Sequence, residues 1–177
     1  MIVLNLDPSL KLQPLLEALE RNAVDFIIIG GVAGMVHGSA ALTFDFDLLY
    51  LRDDKNLERL AAVLVELNVT LRNAPADLPF QSDARTLAAG SNFTFESDVG
   101  PFDILGHADG MRSYEAMRAD AVREELWGVP VRVASVEDLI RMKRAAGRPK
   151  DKSMAEELTA LLEDQRRSAK GEKGASS

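Results

Sequence analysis

Asp45-Phe46-Asp47 and Asp103, the latter within Pro101-Phe102-Asp103-Ile104-Leu105, are the residues of this 177-residue chain best suited to chemistry. On an extended strand, residues two apart project to the same side, so Asp45 and Asp47 present two carboxylates together. Such a pair repels in the absence of a cation, and one member tends to hold a proton. A hard divalent ion resolves that conflict, since Mg2+ takes oxygen ligands and commonly joins one or two carboxylates to substrate phosphates. Asp103 on a neighbouring strand adds a third carboxylate, enough to hold a second metal or to activate an attacking hydroxyl. Upstream, Gly30-Gly31 is separated from Asp45 by thirteen residues. Glycines that end a strand and open a helix leave backbone N–H groups to a phosphate. Taken singly, an Asp-x-Asp pair or a Gly-Gly step is common in ordinary turns. In this order, with strands before and after, they are the two halves of a nucleoside triphosphate site.

The elements that must position these residues are legible in outline. Asp7-Pro8 opens a helix whose leucines, Leu10 to Leu19, recur at helical spacing up to Arg21-Asn22. Phe26 to Ile29 reads as a buried strand ended by Gly30-Gly31, and Val32 to Gly38 as a short helix packed against it. Phe44 to Leu51 is a second strand, with Phe44 and Phe46 pointing into the core, and Asn56 to Leu67 an amphipathic helix. A loop runs from about Asn73 to Gln81. Asn92 to Glu96 and Pro101 to Leu105 form a hairpin around Ser97-Asp98-Val99-Gly100. Val129 to Val133 is a further strand, Ser135 caps a helix that ends before Gly147, and a last helix covers about Lys152 to Gln165. This alternation predicts an α+β fold: one domain over 1–165, with a small mixed sheet, flanking helices and C-terminal helices. The segment 166–177, rich in Ser, Gly, Ala and charge, is expected to be disordered.

Composition narrows the function. Without cysteine, disulfides, thiolate metal sites and cysteine nucleophiles are excluded. Two histidines make a zinc site improbable on number alone. No stretch approaches the roughly 20 apolar residues of a membrane span, and Met1 to Asn5 has no basic region before an apolar run, so the protein is expected in the cytoplasm and not in a membrane. The formal charge of −7 argues against broad binding to nucleic acid. Against that total, Arg141, Lys143, Arg144, Arg148, Lys150 and Lys152 crowd into twelve positions opposed by Asp151 alone. Such a run is usually a solvated helix face, and it gains meaning beside an acidic site.

Phe26-Ile27-Ile28-Ile29-Gly30-Gly31 followed by Thr43-Phe44-Asp45-Phe46-Asp47 resembles the motif of the DNA polymerase β-like nucleotidyltransferase superfamily. The nearest likeness is to its small prokaryotic branch, which includes minimal nucleotidyltransferases and AbiEii-type toxins. The run from Ser135 to Asp151 is similar to a helical segment common there. The resemblance implies Mg2+- or Mn2+-dependent transfer of a nucleoside monophosphate from a nucleoside triphosphate to a hydroxyl of a protein, a tRNA end or a small molecule. It assigns Asp45, Asp47 and Asp103 to the metals, with Asp103 also favouring loss of the acceptor proton. Gly30 and Gly31 would receive the β- and γ-phosphates, and Lys143, then Arg148 and Lys150, would neutralise the triphosphate from the helical side. Two departures stand out: Ala41 where many relatives carry a basic residue, and Lys152 where they continue Lys-Asp with a further Asp. The carboxylates favour chemistry. Ala41 and the short chain favour the alternative, a weakly active or inactive protein of the same fold that binds a partner toxin or antitoxin.

Other residues read as structural: His37 as a packed or hydrogen-bonded histidine, His107 as an exposed loop histidine, and Trp127 as a packing residue at a turn. A dinucleotide-binding fold does not fit Gly30-Gly31-Val32-Ala33-Gly34, which lacks the G-x-G-x-x-G spacing. An aspartyl phosphohydrolase does not fit Leu49, where that pattern wants Thr or Val.

Overall fold

The computed structural model of the chain describes residue 4, residues 6–75 and residues 80–174, with side chains to residue 169. At its centre, Phe26–Ile29 (β1) and Phe46–Tyr50 (β2) pair antiparallel, placing Ile29 opposite Asp47. Every residue of the two strands except Asp47 is buried, as expected for apolar strands covered on both faces. Thr70–Leu71 (β3), Asn92–Glu96 (β4), Phe102–Leu105 (β5), Val122–Leu126 (β6) and Val129–Val133 (β7) extend the sheet. The order is β3-β4-β5-β2-β1-β7-β6. β2 with β5 and β1 with β7 are parallel, and the remaining pairs are antiparallel. This is the expected α+β architecture with a mixed sheet.

The helices are Leu12–Arg21 (α1), Gly30–Val36 (α2), Asp54–Glu66 (α3), Ala84–Ala89 (α4), Tyr114–Asp120 (α5), Val136–Ala146 (α6) and Pro149–Gly174 (α7). Their starts follow local chemistry. Asp53 caps α3 by accepting from Asn56 N at 2.7 Å, and Ser135 caps α6 by accepting from Asp138 N at 3.2 Å. Gly147, at φ +68°, closes α6 in the left-handed conformation. α6 and α7 pack on one another and α2 sits against β1, β2 and α6, so the helical hairpin lies over the ends of the central strands.

Several expectations are corrected. The first helix starts at Leu12, because Asp7 spends its carboxylate on a turn, accepting from Ser9 N at 2.9 Å. β2 begins at Phe46, so Phe44 is not a core residue: it is 58% exposed, while Phe46 is fully buried. Trp127 is at the expected turn, between β6 and β7, at a positive φ of 51°, but is 46% exposed. α7 runs as far as Gly174, and along it Arg166 reaches Glu137 of α6 at 3.0 Å and Arg167 pairs with Asp164 one turn back. Residues 175–177, most of 1–5 and part of the loop from Asn73 to Gln81 lie outside the described residues. No helix among the described residues is long and apolar enough to cross a membrane.

Candidate active site

The site forms where β1 ends. Gly30 leaves the strand at φ +67°, a conformation that suits glycine. A Cβ there would run into the Asp47 carboxylate, and one on Gly31 would run into the Thr43 hydroxyl. The two glycines are thus the clearance that lets the aspartate-bearing segment lie against the start of α2. Thr43 Oγ1 donates to Asp45 O at 3.1 Å, fixing the turn that presents Asp45 one residue ahead of β2. Parallel pairing of β2 with β5 then sets Asp47 directly beside Asp103.

Three carboxylates therefore converge, and their environment shows the repulsion. Burial, then Asp103 and, more weakly, Asp45 push the Asp47 carboxyl up to about 6, against the pull of Lys143 and Lys150. Burial also raises Asp103, with Arg72 opposing and Asp45 adding to the rise. Sequence reasoning missed the residue that eases this crowding. Arg72, immediately after β3, reaches Asp45 at 3.2 Å, Glu96 at 3.2 Å and Asp103 at 3.3 Å. Its backbone N–H donates to Thr94 O at 2.9 Å, which fixes it to β4. Nothing local marks it, because β3 has only two residues and its pairing with β4 is long-range.

Lys143 and Arg148 face the carboxylates from α6 and the α6–α7 junction. Both are held by Asp151, which is 1% exposed and accepts from Lys143 Nζ at 2.9 Å and Arg148 Nε at 2.5 Å. Burial pushes Asp151 up, but these two bonds outweigh it and hold the carboxyl below its ordinary value. Two cavities meet here. One, of about 810 Å3, runs past Gly31, Asp45, Lys150 and Phe44. The other, of about 350 Å3, runs past Gly30, Asn92, His107 and Asp109. Both are lined by Asp47, Asp103, Lys143, Arg148 and Asp151. A two-substrate reaction could use the cluster between them. Of the histidines, His37 is hydrogen-bonded, its Nε2 lying 2.8 Å from Ala134 O, and His107 is an exposed residue at the rim of the smaller cavity.

An all-oxygen donor set suits Mg2+ or Mn2+. Asp103 Oδ1 is buried without a hydrogen bond, 3.3 Å from Arg72 Nη2 in the ion pair. As they stand, no three acid or histidine side chains among the described residues close up tightly enough to grip an ion. Arg72 is the counter-ion shared by Asp45 and Asp103. An ion held by these carboxylates would take the place of that guanidinium.

The fold is that of the nucleotidyltransferases. Over 89% of this chain and 99% of the other, it matches the lincomycin-bound lincosamide antibiotic adenylyltransferase LnuA with a TM-score of 0.57 at 12% identity. It matches ANT(2")-Ia in complex with adenylyl-2"-tobramycin over 89% and 96% of the two chains, with a TM-score of 0.51 at 18% identity. An antigenic nucleotidyltransferase-like protein from Paracoccidioides brasiliensis matches over 84% and 72%, with a TM-score of 0.52 at 16% identity. No protein-family model matches the chain, and no curated protein matches it by sequence.

Proposed function

We propose that the protein is a Mg2+- or Mn2+-dependent nucleotidyltransferase that moves a nucleoside monophosphate from a nucleoside triphosphate to a hydroxyl, releasing pyrophosphate. The observation that carries this reading is the side-by-side register of Asp47 and Asp103, with Asp45 one step ahead, facing Lys143 and Arg148 across a cavity. Asp45, Asp47 and Asp103 hold the metal, which when bound neutralises the triphosphate and makes the acceptor hydroxyl more acidic. Lys143, Arg148 and Lys150 hold the phosphates from the helical wall, and the start of α2 at Gly30 and Gly31 offers backbone N–H groups that lack intrahelical partners. Asp103, which lines the smaller cavity, takes the proton of an acceptor oxygen attacking the α-phosphorus. On this reading the chain sits in the small prokaryotic branch with the AbiEii-type toxins and works in the cytoplasm.

The test is incubation with each labelled nucleoside triphosphate and Mg2+, with and without cell extract. Label should appear on a macromolecule or a small hydroxyl compound. Absence of label with every nucleotide and extract would overturn the enzymatic reading. The alternative, a non-catalytic member acting on a toxin or antitoxin partner, draws on two observations: Arg72 occupies the carboxylates, and Ala41 lines the larger cavity where a basic side chain is missing.

A further inference from the structure

The larger cavity has a lining of two unlike kinds. Its wall joins the charged Asp45, Asp47, Asp103, Lys143 and Arg148 to the apolar Ala41, Leu42, Phe44 and Met154. Leu42 is 47% and Phe44 58% exposed, an unusual outlay of apolar surface beside so polar a site. The segment carrying them is held from both sides. From α7, Glu157 accepts from Ser39 Oγ at 2.9 Å and from Ala40 N at 3.1 Å. From the N-terminal segment, Asp7 N donates to Thr43 O at 3.1 Å. These bonds hold the backbone that presents Phe44 one residue from Asp45.

We propose that Phe44, with Leu42 beside it, is the platform on which the nucleobase of the triphosphate stacks, and so selects a nucleotide over a bare polyphosphate. This deepens the proposed function and rests on it. The charge distribution argues for that occupant, because a nucleoside triphosphate is itself a polyanion joined to an aromatic ring. Its phosphates match Lys143, Arg148 and Lys150, and its base matches the apolar residues of the same wall. An aromatic face accepts any base, and a purine more strongly than a pyrimidine because it covers more ring area.

The experiment is calorimetric titration with Mg2+ present, using ATP, CTP and inorganic tripolyphosphate on the wild type, Phe44→Ala and Phe44→Trp. Circular dichroism should show all three folded, since Phe44 contributes little to the core. Phe44→Ala should weaken ATP about tenfold, weaken CTP less and leave tripolyphosphate unchanged. Phe44→Trp should retain ATP binding and show fluorescence quenched by ATP but not by tripolyphosphate. Equal loss of ATP and tripolyphosphate in Phe44→Ala, or unchanged ATP binding, overturns the platform while leaving the transferase reading standing. So does sedimentation that loses a wild-type dimer in Phe44→Ala with ATP affinity intact, which assigns the surface to a second copy. If the wild type binds tripolyphosphate but no nucleotide, the platform fails; if it binds neither, the proposed function fails with it.

Discussion

Asp47 stands between Gly30, which has no side chain to obstruct it, and Asp103, which repels it. Because burial and its acidic neighbours make its ionised form unfavourable, Asp47→Asn should abolish nucleotide transfer while raising the midpoint of unfolding at pH 7 by about 2–4 °C per kcal/mol relieved. Asp45→Asn should abolish transfer with little change in melting. Loss of activity through unfolding would instead make these residues structural. Arg72→Ala removes the cation shared by Asp45, Glu96 and Asp103. Its melting midpoint in EDTA should fall, and the rise on adding Mg2+ should exceed that of the wild type; an equal rise would show that Arg72 and the metal do not compete. Lys143→Ala should weaken nucleotide binding by about tenfold or more, as expected for loss of one charge-assisted contact. Arg144→Ala should change little, because its guanidinium points away, 3.3 Å from Thr159 Oγ1 on α7.

Among the elements, α6 carries Lys143 to the site, and its seating depends on Asp138. This carboxylate is 1% exposed, and Arg112 grips it through Nε at 2.8 Å and Nη2 at 2.7 Å, with Arg141 as a further partner. Burial pushes Asp138 up, but the bonds from Arg112 and Ser135 prevail and hold it below the ordinary 3.8. A depressed carboxyl contributes stability above its unfolded value and loses it as the pH falls through the folded one. The stability difference between the wild type and Asp138→Asn should therefore be largest near neutral pH and shrink below about pH 4. Chemical denaturation followed by circular dichroism at a series of pH values measures it; a difference independent of pH would remove Asp138 from the acid response. α6 was legible because Ser135, the acids after it and Gly147 are local signals. By contrast β6, Val-Arg-Glu-Glu-Leu, has an exposed charged pattern that does not declare a strand, and β7 pairs with it along its whole length.

For the whole molecule, a chain of net charge −7 gathers three of its carboxylates at one end of its sheet, which repels a polyanion until a cation intervenes. Nucleotide binding should accordingly appear in calorimetry with Mg2+ or Mn2+ and fall at least tenfold in EDTA. Equal binding in both would sink the metal-site reading. The α6–α7 hairpin closes the site from the other side, bringing Lys143 and Arg148 to the cavities and, through Glu157, tying down the segment that carries Phe44.

The amino-acid sequence by itself determined the parts governed by local chemistry: the buried strands, the glycine exit from β1, the capped helix α6 and the pair of aspartates. Only the tertiary structure decided what meets what. It placed Asp103 in register with Asp47, brought Arg72 into the carboxylates, and made Asp151 the partner of Lys143 and Arg148 instead of an isolated acid in a basic run. It also turned Phe44 out of the core. Local spacing sets the direction of a side chain along its own strand or helix, whereas these meetings depend on sheet order and helix packing between segments far apart in the chain.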